Sequence, residues 1–419
     1  MIVEIISVGE ELLIGQITDT NSAFLAKEVT GLGLNCLYKT TVGDEPEHIK
    51  KALGLALERS NIILFTGGLG PTDDDLTLKS VADFFDKEMI FQNNVAKDIE
   101  VIFVSRGLEM PQSNLKQAYI PEGSQVVKNF IGTAPGVLWD VSDLVNSKEL
   151  KMIITFPGVP DEMRHMWKET IRSSIKKYSN KHIYEKYINF IDISESALVE
   201  KLNKFMNLDN PKIRPYANNY QIQLRVYSED KSFDRAKNLV ENTIKEIHNI
   251  VSEYVYGYNE ENLEQVVANL LIKNNKTISL AESCTGGLIS SRLTDISGSS
   301  NYVKLNLICY SNKAKTEILS VSEESIIKYG AVSSEIAELM ARNVRELASC
   351  DIGLSVTGIA GPTGGTEEKP VGTVYVAISD SNKTFSTKKI VNPALLRTQI
   401  KWRFSQIALN IVRKHLLSL

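Results

Sequence analysis

Histidine is scarce in this chain. Of 419 residues only five are histidine (His48, His165, His182, His248 and His415), and the last third holds one, four residues from the end. A serine or cysteine nucleophile in that third therefore lacks the usual imidazole base, and lysine is the plainest substitute. Cysteine is sparse too: Cys36, Cys284, Cys309 and Cys350 form no CxxC pair, which speaks against a zinc site and against a disulfide framework. No apolar run approaches the roughly 18 residues of a membrane span. The opening MIVEIISVGEELL has neither the apolar length nor the basic flank of a signal peptide, so the expected compartment is the cytoplasm, with no membrane partner. There is no basic excess. A net charge of −4 argues against broad contact with nucleic acid. The phosphate-loop pattern GxxxxGK[ST] is absent, as are internal repeats and low-complexity tracts.

What is present suits a multidomain globular protein: 43% hydrophobic and 23% charged residues supply two or three cores. Over the first 170 or so residues, IVEIISVG, NSAFLAKEVTGLG, NIILFTGG and a long helical stretch over 76–106 alternate as βαβ units with a mainly parallel sheet, followed by the buried strand of SKELKMIITFPGVP at 147–160. Between about 176 and 257 glycine thins out. KYINFIDI and QIQLRVYS read as strands there, and SESALVEKLNKFM and FDRAKNLVENTIKEIHNIVSEYV as helices, a small α+β module. YGYNEEN at 256–262 reads as a linker, after which strands near 277–281, 303–310, 352–357 and 371–378 indicate a second α/β domain. The expected division is an N-terminal domain over 1–172, a middle domain over 173–257 and a C-terminal domain over 258–419.

Two constellations carry chemistry. In TGGLGPTDDDLT at 66–77, a strand runs through glycines into a helix. Thr66, Gly67, Gly68, Gly70 and Thr72 form an anion loop whose backbone N–H groups suit a phosphate. Asp73, Asp74 and Asp75 sit beside it, and carboxylates next to phosphates call for a hard divalent cation. GEELLIGQITDTN at 9–21 adds Glu10, Asp19 and Asn21 at a neighbouring strand end, although helix capping accounts equally well for Asp19 and for the aspartate run.

The second constellation is TISLAESCTGG, a strand entering a tight turn and a helix, with Ser283 at the turn and Lys315 32 positions later, after a strand ending at Tyr310. Backbone N–H groups around Thr285, Gly286 and Gly287 suit an oxyanion. A place early in a helix lowers the pKa of Lys315, helping it act as a base. Plain alternatives are an N-cap serine, an exposed lysine and a half-buried tyrosine. Cys284 is a competing nucleophile that lacks a histidine partner. A further glycine loop over 357–366 suits a phosphate or a ribose-phosphate edge, with a long flexible connector as the alternative.

These stretches resemble the CinA family, the competence/damage-inducible A proteins. The region from Gly9 to Asn21, TGGLGPTDDDLT, NFIGTAPGV and FPGVPDEM resemble its molybdopterin-binding-like domain, a three-layer fold with a parallel sheet. ESALVEKL and NPKIRPYANNYQIQLRV are similar to its KH-like module, but FIDISES departs from the family's glycine-rich approach and no GxxG loop is present, so no nucleic-acid role is transferred. AESCTGG, SGSS, YSNKAK, GAVS, TGIAGPTGG and KPVGTVY resemble its α/β nicotinamide-nucleotide amidase domain. The resemblance implies Ser283 as nucleophile, Lys315 as general base and Tyr310 as the neighbouring hydroxyl that relays or orients the proton, with no cofactor. It places Thr357 and Gly358 at the acyl group, and the loop of Gly361 and Gly364 with Arg397 at the substrate phosphate. For the N-terminal domain it implies an ADP-ribose pyrophosphatase using cobalt, magnesium or manganese, with Asp74 and Asp75 as the leading ligands, Asp19 and Asn21 supporting, and Asp73 at a variable position. The implied whole is a homodimeric enzyme of pyridine-nucleotide recycling acting on nicotinamide mononucleotide and ADP-ribose. Two alternatives stay open at this point: a non-catalytic N-terminal module binding a pterin or nucleotide, and a competence or DNA-damage scaffold.

Overall fold

The computed structural model describes residues 1–218 and 221–419. Asn219 and Tyr220, which end the NPKIRPYANNY stretch, lie outside the described residues. The chain forms two compact units, residues 1–185 with 227–241, and residues 186–226 with 242–419, so the middle segment is divided between them.

The sheet of the N-terminal unit has six strands in the order Asn35–Val42, Ile2–Val8, Ile62–Thr66, Met152–Phe156, Gly136–Asp140 and Gln125–Val127. The first four run parallel and the last two antiparallel. Helices cover both faces, which is why the central strands read as unbroken apolar runs. Val3, Ile5, Ile62 and Leu64 enter one core with Leu25, Val29 and Trp167. The alternate residues Ile6, Val8, Ile63 and Phe65 enter the other with Ile49, Leu53 and Trp139.

One polar group sits inside this sheet. The fully buried Glu4 accepts hydrogen bonds from Arg59 Nη2 (2.6 Å), Arg59 Nε (3.0 Å), Thr40 (2.8 Å) and Ser60 (3.3 Å). Burial opposes its charge, but the bonds from Arg59, Thr40 and Ser60 and the Arg59 charge prevail and hold its pKa below 4.5. A carboxyl depressed in the folded state stabilises above its ordinary pKa, and that contribution is lost as pH falls through the folded value. Arg59→Leu is therefore expected to lower the melting temperature markedly at pH 7 and progressively less below pH 4.5, where Glu4 is neutralised, as scanning calorimetry at the two pH values would show.

The expected single helix over 76–106 is two, Thr77–Phe84 and Asn93–Ser105, separated by the short strand Met89–Phe91. Phe85 packs edge-on against Trp139 (5.3 Å between ring centroids), and Asp86 adopts a left-handed φ of 53°, which turns the chain out of the helix. The middle segment supplies a four-stranded sheet and the helix Phe233–Val251. Its last strand, Val255–Tyr258, overlaps the start of the 256–262 stretch expected as a linker.

In the second unit the C-terminal sheet has the order Val303–Ile308, Ile278–Glu282, Ile352–Gly358, Thr373–Ser379 and Thr384–Ile390. The first three strands are parallel and the last two antiparallel. Four of these five were expected from the sequence. The fifth, TFSTKKI, is a half-exposed edge without the apolar content that marks a strand. Ile278, Leu280, Leu354 and Val356 pack on one face against Phe404 and Leu409 of the final helix, Arg397–Leu417. Ala281 meets Ile336 and Met340 on the other. Among the described residues no helix is long and apolar enough to cross a membrane.

Candidate active site

Three parallel strands of the C-terminal sheet end side by side, and the residues just beyond those ends form one site. The strand Ile278–Glu282 delivers Ser283, whose N–H donates to the Val356 carbonyl of the neighbouring strand (2.9 Å). On the other side Val303–Ile308 leads into the short helix Asn312–Glu317, which carries Lys315 inward. Lys315 Nζ lies 3.2 Å from Ser283 Oγ and donates to the backbone carbonyls of Cys309 (2.9 Å) and Tyr310 (3.4 Å). Lys315 is 1% exposed and Ser283 8%, so their contact is nearly sealed from water. Among the described residues no carboxylate pairs with the ammonium; burial lowers its pKa from 10.5, against a smaller opposing effect of the Cys309 and Cys284 thiols. Burial, not the helix dipole expected from sequence, dominates: Lys315 is the fourth residue of a six-residue helix. Burial also pushes the Cys284 thiol up to about 12, which makes it a poor nucleophile beside Ser283.

The remaining expected residues fall into place unevenly. The Tyr310 ring is exposed and its hydroxyl accepts from Arg397 Nη2 at 2.7 Å, so only its backbone carbonyl touches Lys315. Among the described residues the phenol makes no hydrogen bond to Ser283 or Lys315. Arg397 also donates to the Gly361 carbonyl, so it joins Tyr310 to the 357–366 loop. The Thr357 hydroxyl turns away from the acyl site and donates to the Ala331 carbonyl (2.8 Å) in the GAVS stretch. Gly358 packs against the nucleophile turn, since a Cβ there would stand 3.2 Å from Cys284 Sγ and 2.6 Å from the Thr373 carbonyl. Gly361 and Gly364 have left-handed φ angles of 71° and 87°, and their N–H groups have no hydrogen-bond partner among the described residues. The amides of Gly286 and Gly287 are not free: they donate to the Ser283 carbonyl (3.1 Å) and the Glu282 carboxylate (3.0 Å).

In the N-terminal unit the 66–77 stretch follows its strand as expected. Gly67 N–H donates to the Phe156 carbonyl (3.0 Å), whereas the N–H groups of Gly68, Leu69 and Gly70 have no partner among the described residues, an arrangement suited to an anion. Thr66 Oγ1 accepts from Asn21 (2.9 Å) and donates to the Pro157 carbonyl (3.1 Å). The four residues expected to hold a cation are split. Asp19 and Asn21 line one cavity of about 110 Å³ with Thr66, Gly67 and Gly158. Asp75 lines another of about 220 Å³ with Gly68, Gly70, Lys79, Lys116 and Tyr119. Asp19 caps the helix Thr20–Gly31 through the Ser22 N–H (2.8 Å) and accepts from Ser7 (2.7 Å). Asp75 folds back onto Thr72, accepting from its N–H (3.0 Å) and hydroxyl (2.5 Å). Asp74 is exposed, and among the described residues no three His, Cys, Asp or Glu side chains are grouped to hold a metal ion. The expected ligand set is thus not assembled, because capping and turn bonds already engage two of its carboxylates. Lys116, which reaches the Thr72 carbonyl from a 3₁₀ segment, was missed by sequence reasoning because nothing in QSNLKQA marks it.

Three family models match: "Probable molybdopterin binding domain" over residues 4–177, "Damage-inducible protein CinA KH domain" over 185–257 and "CinA C-terminal domain" over 260–416. A CinA-like protein of Nostoc sp. is 42% identical over 429 aligned positions, covering 100% of both chains. The chain belongs to the CinA family. Another CinA-like protein, from Trichormus variabilis, is 42% identical over 421 positions with 100% coverage of both. Among solved structures, the competence/damage inducible protein CihA of Agrobacterium tumefaciens is 34% identical, with a TM-score of 0.35, over 38% of this chain and 97% of its own. The Ser283 and Lys315 pair of this CinA protein lies inside the matched C-terminal domain.

Proposed function

We propose that the C-terminal domain is an amidase acting on the carboxamide of nicotinamide mononucleotide. The observation that carries this reading is a buried lysine, its pKa lowered, 3.2 Å from a buried serine hydroxyl at a strand end. Neutral Lys315 takes the Ser283 proton as Oγ attacks the amide carbon, and the carbonyl π pair moves onto oxygen. When the carbonyl re-forms, the C–N bond breaks, and Lys315 returns the proton to the departing nitrogen, which leaves as ammonia. Water, deprotonated by Lys315, then cleaves the acyl ester to nicotinate mononucleotide and restores Ser283. The unpartnered amides of the 357–366 loop and the guanidinium of Arg397 suit the ribose phosphate, and the Tyr310 hydroxyl, accepting from Arg397, keeps its proton to donate to substrate. No metal takes part in this scheme.

A second reading, that the N-terminal domain hydrolyses the pyrophosphate of ADP-ribose, is favoured by three consecutive amides, without a partner among the described residues, beside Lys116 and Asp75. Asp44 is pushed above the usual carboxylate range by burial first and then by the charges of Glu11, Asp74 and Asp75, so added positive charge is favourable there. The divalent cation of this reading comes from the family resemblance alone, since among the described residues no three His, Cys, Asp or Glu side chains are grouped to hold one. One experiment addresses both readings. Wild-type protein with nicotinamide mononucleotide should release ammonia equally with and without chelator. With ADP-ribose it should release AMP only when cobalt, magnesium or manganese is supplied, and Asp74→Asn should diminish AMP release alone. Failure to release ammonia overturns the first reading, and no AMP with any of the three ions overturns the second.

A further inference from the structure

Glu282, immediately before the nucleophile, holds the Ser283 turn. It is 1% exposed, and its carboxylate accepts hydrogen bonds from the amides of Gly287 (3.0 Å), Ile289 (3.2 Å) and Ser290 (2.7 Å) and from the Ser290 hydroxyl (2.6 Å). These donors lie at the start of the helix Leu288–Thr294, so a side chain of the protein itself occupies that helix start. Within the turn, Ser283 N–H is engaged by Val356 and Gly286 N–H by the Ser283 carbonyl. Of the amides from 283 to 287, those of Cys284 and Thr285 alone have no acceptor outside their own residue among the described residues. Gly286 and Gly287, at φ of 61° and 89°, allow the chain to reverse tightly between the strand and the helix. Thr285 is fully buried. The residue directly after a nucleophile on a strand-turn-helix junction is well placed to donate its N–H to the oxyanion.

We propose that Glu282 is a positioning residue: by pinning residues 287–290 it presents the Cys284 and Thr285 N–H groups to the oxygen of the carbonyl that Ser283 attacks. This inference rests on the acyl-transfer reading given above. As the Oγ–C bond forms, the carbonyl π pair moves onto oxygen, and two fixed donors meet that charge without having to reorient. Neutralising or removing the carboxylate frees the 287–290 backbone to rotate, and the donors lose their alignment.

The test uses the full chain and two acyl donors. Ammonia release from nicotinamide mononucleotide reads kcat and KM. p-Nitrophenyl acetate, which needs no nucleotide recognition, acetylates Ser283 with loss of p-nitrophenolate; its burst amplitude counts competent sites and its rate constant reports each site, with Ser283→Ala as the blank. Glu282→Gln, which keeps shape and one acceptor oxygen, is expected to lower kcat and the burst rate constant by about 10–100-fold, and Glu282→Ala by about 10²–10³-fold, with KM changed by less than about threefold. A merely structural role would lower burst amplitude and melting temperature while leaving the rate constant per site unchanged, and that result overturns the proposal. If the wild type is acetylated but releases no ammonia, the substrate reading falls and Glu282 is judged on the ester alone. If wild-type Ser283 is not acetylated and no ammonia appears, both fall.

Discussion

Replacing Lys315 by methionine is expected to lower ammonia release from nicotinamide mononucleotide by about 10³–10⁶-fold, and Ser283→Ala to do the same. The two variants part company in their stability. Burial lowers the Lys315 pKa below 10.5, so the unfolded chain binds a proton there more readily than the folded one. Stability must then rise with pH from the folded-state value up to 10.5, because across that window the unfolded state holds more protons. Lys315→Met removes this slope, whereas Ser283→Ala retains it. Chemical denaturation at several pH values between neutrality and 10.5 would show the difference, and a slope unchanged in Lys315→Met would mean the buried amine is not what titrates. The same depressed pKa places the acid limb of the wild-type kcat/KM profile below 10.5, since the lysine acts only when neutral.

Arg292→Leu is expected to cost about 3–5 kcal/mol of stability. The guanidinium is 3% exposed and ties three helices together: it donates to Glu264 (2.7 Å) of Leu263–Lys273, and to Ser405 (2.7 Å) and Gln406 (3.1 Å) of Arg397–Leu417, from its own place on Leu288–Thr294. It also lies over the Trp402 ring at 4.2 Å. Leucine leaves the Glu264 carboxylate, 14% exposed, without its cation, and the lone charge is the larger part of the loss. Adding Glu264→Leu should therefore recover stability relative to Arg292→Leu alone, as a double-mutant cycle of melting temperatures would reveal. If the double variant is no better than the single one, packing around Trp402 outweighs the charge pair.

The strands were legible where the chain alternates between two covered faces: Ile62 to Phe65 show no polar residue because each neighbour enters a different core. Ser283 and Lys315 could be paired from sequence because each follows a strand of a parallel sheet, and parallel strands end on one side. Less was legible where a side chain's partner lies far along the chain. Nothing near Phe85 shows that Trp139 draws it out of a helix, and nothing near Thr357 shows that Ala331 takes its hydroxyl. Glu282 escaped notice because an acid beside a serine is an ordinary pair, and its four bonds require the turn to be folded. Asp19 and Asp75 carry the residue type that metals favour, but local backbone and hydroxyl donors reached them first.

The order of strands in the C-terminal sheet has a consequence during synthesis. Its second strand, Ile278–Glu282, is made before both neighbours, Val303–Ile308 and Ile352–Gly358. As the chain leaves the ribosome, Ser283 first has no lysine, then gains Lys315 without the Val356 carbonyl that fixes its backbone, while Tyr310 and Gly361 meet Arg397 only when the final helix emerges. Incomplete chains therefore carry the serine without its surroundings, and the C-terminal site is complete only once the helix Arg397–Leu417 has been made.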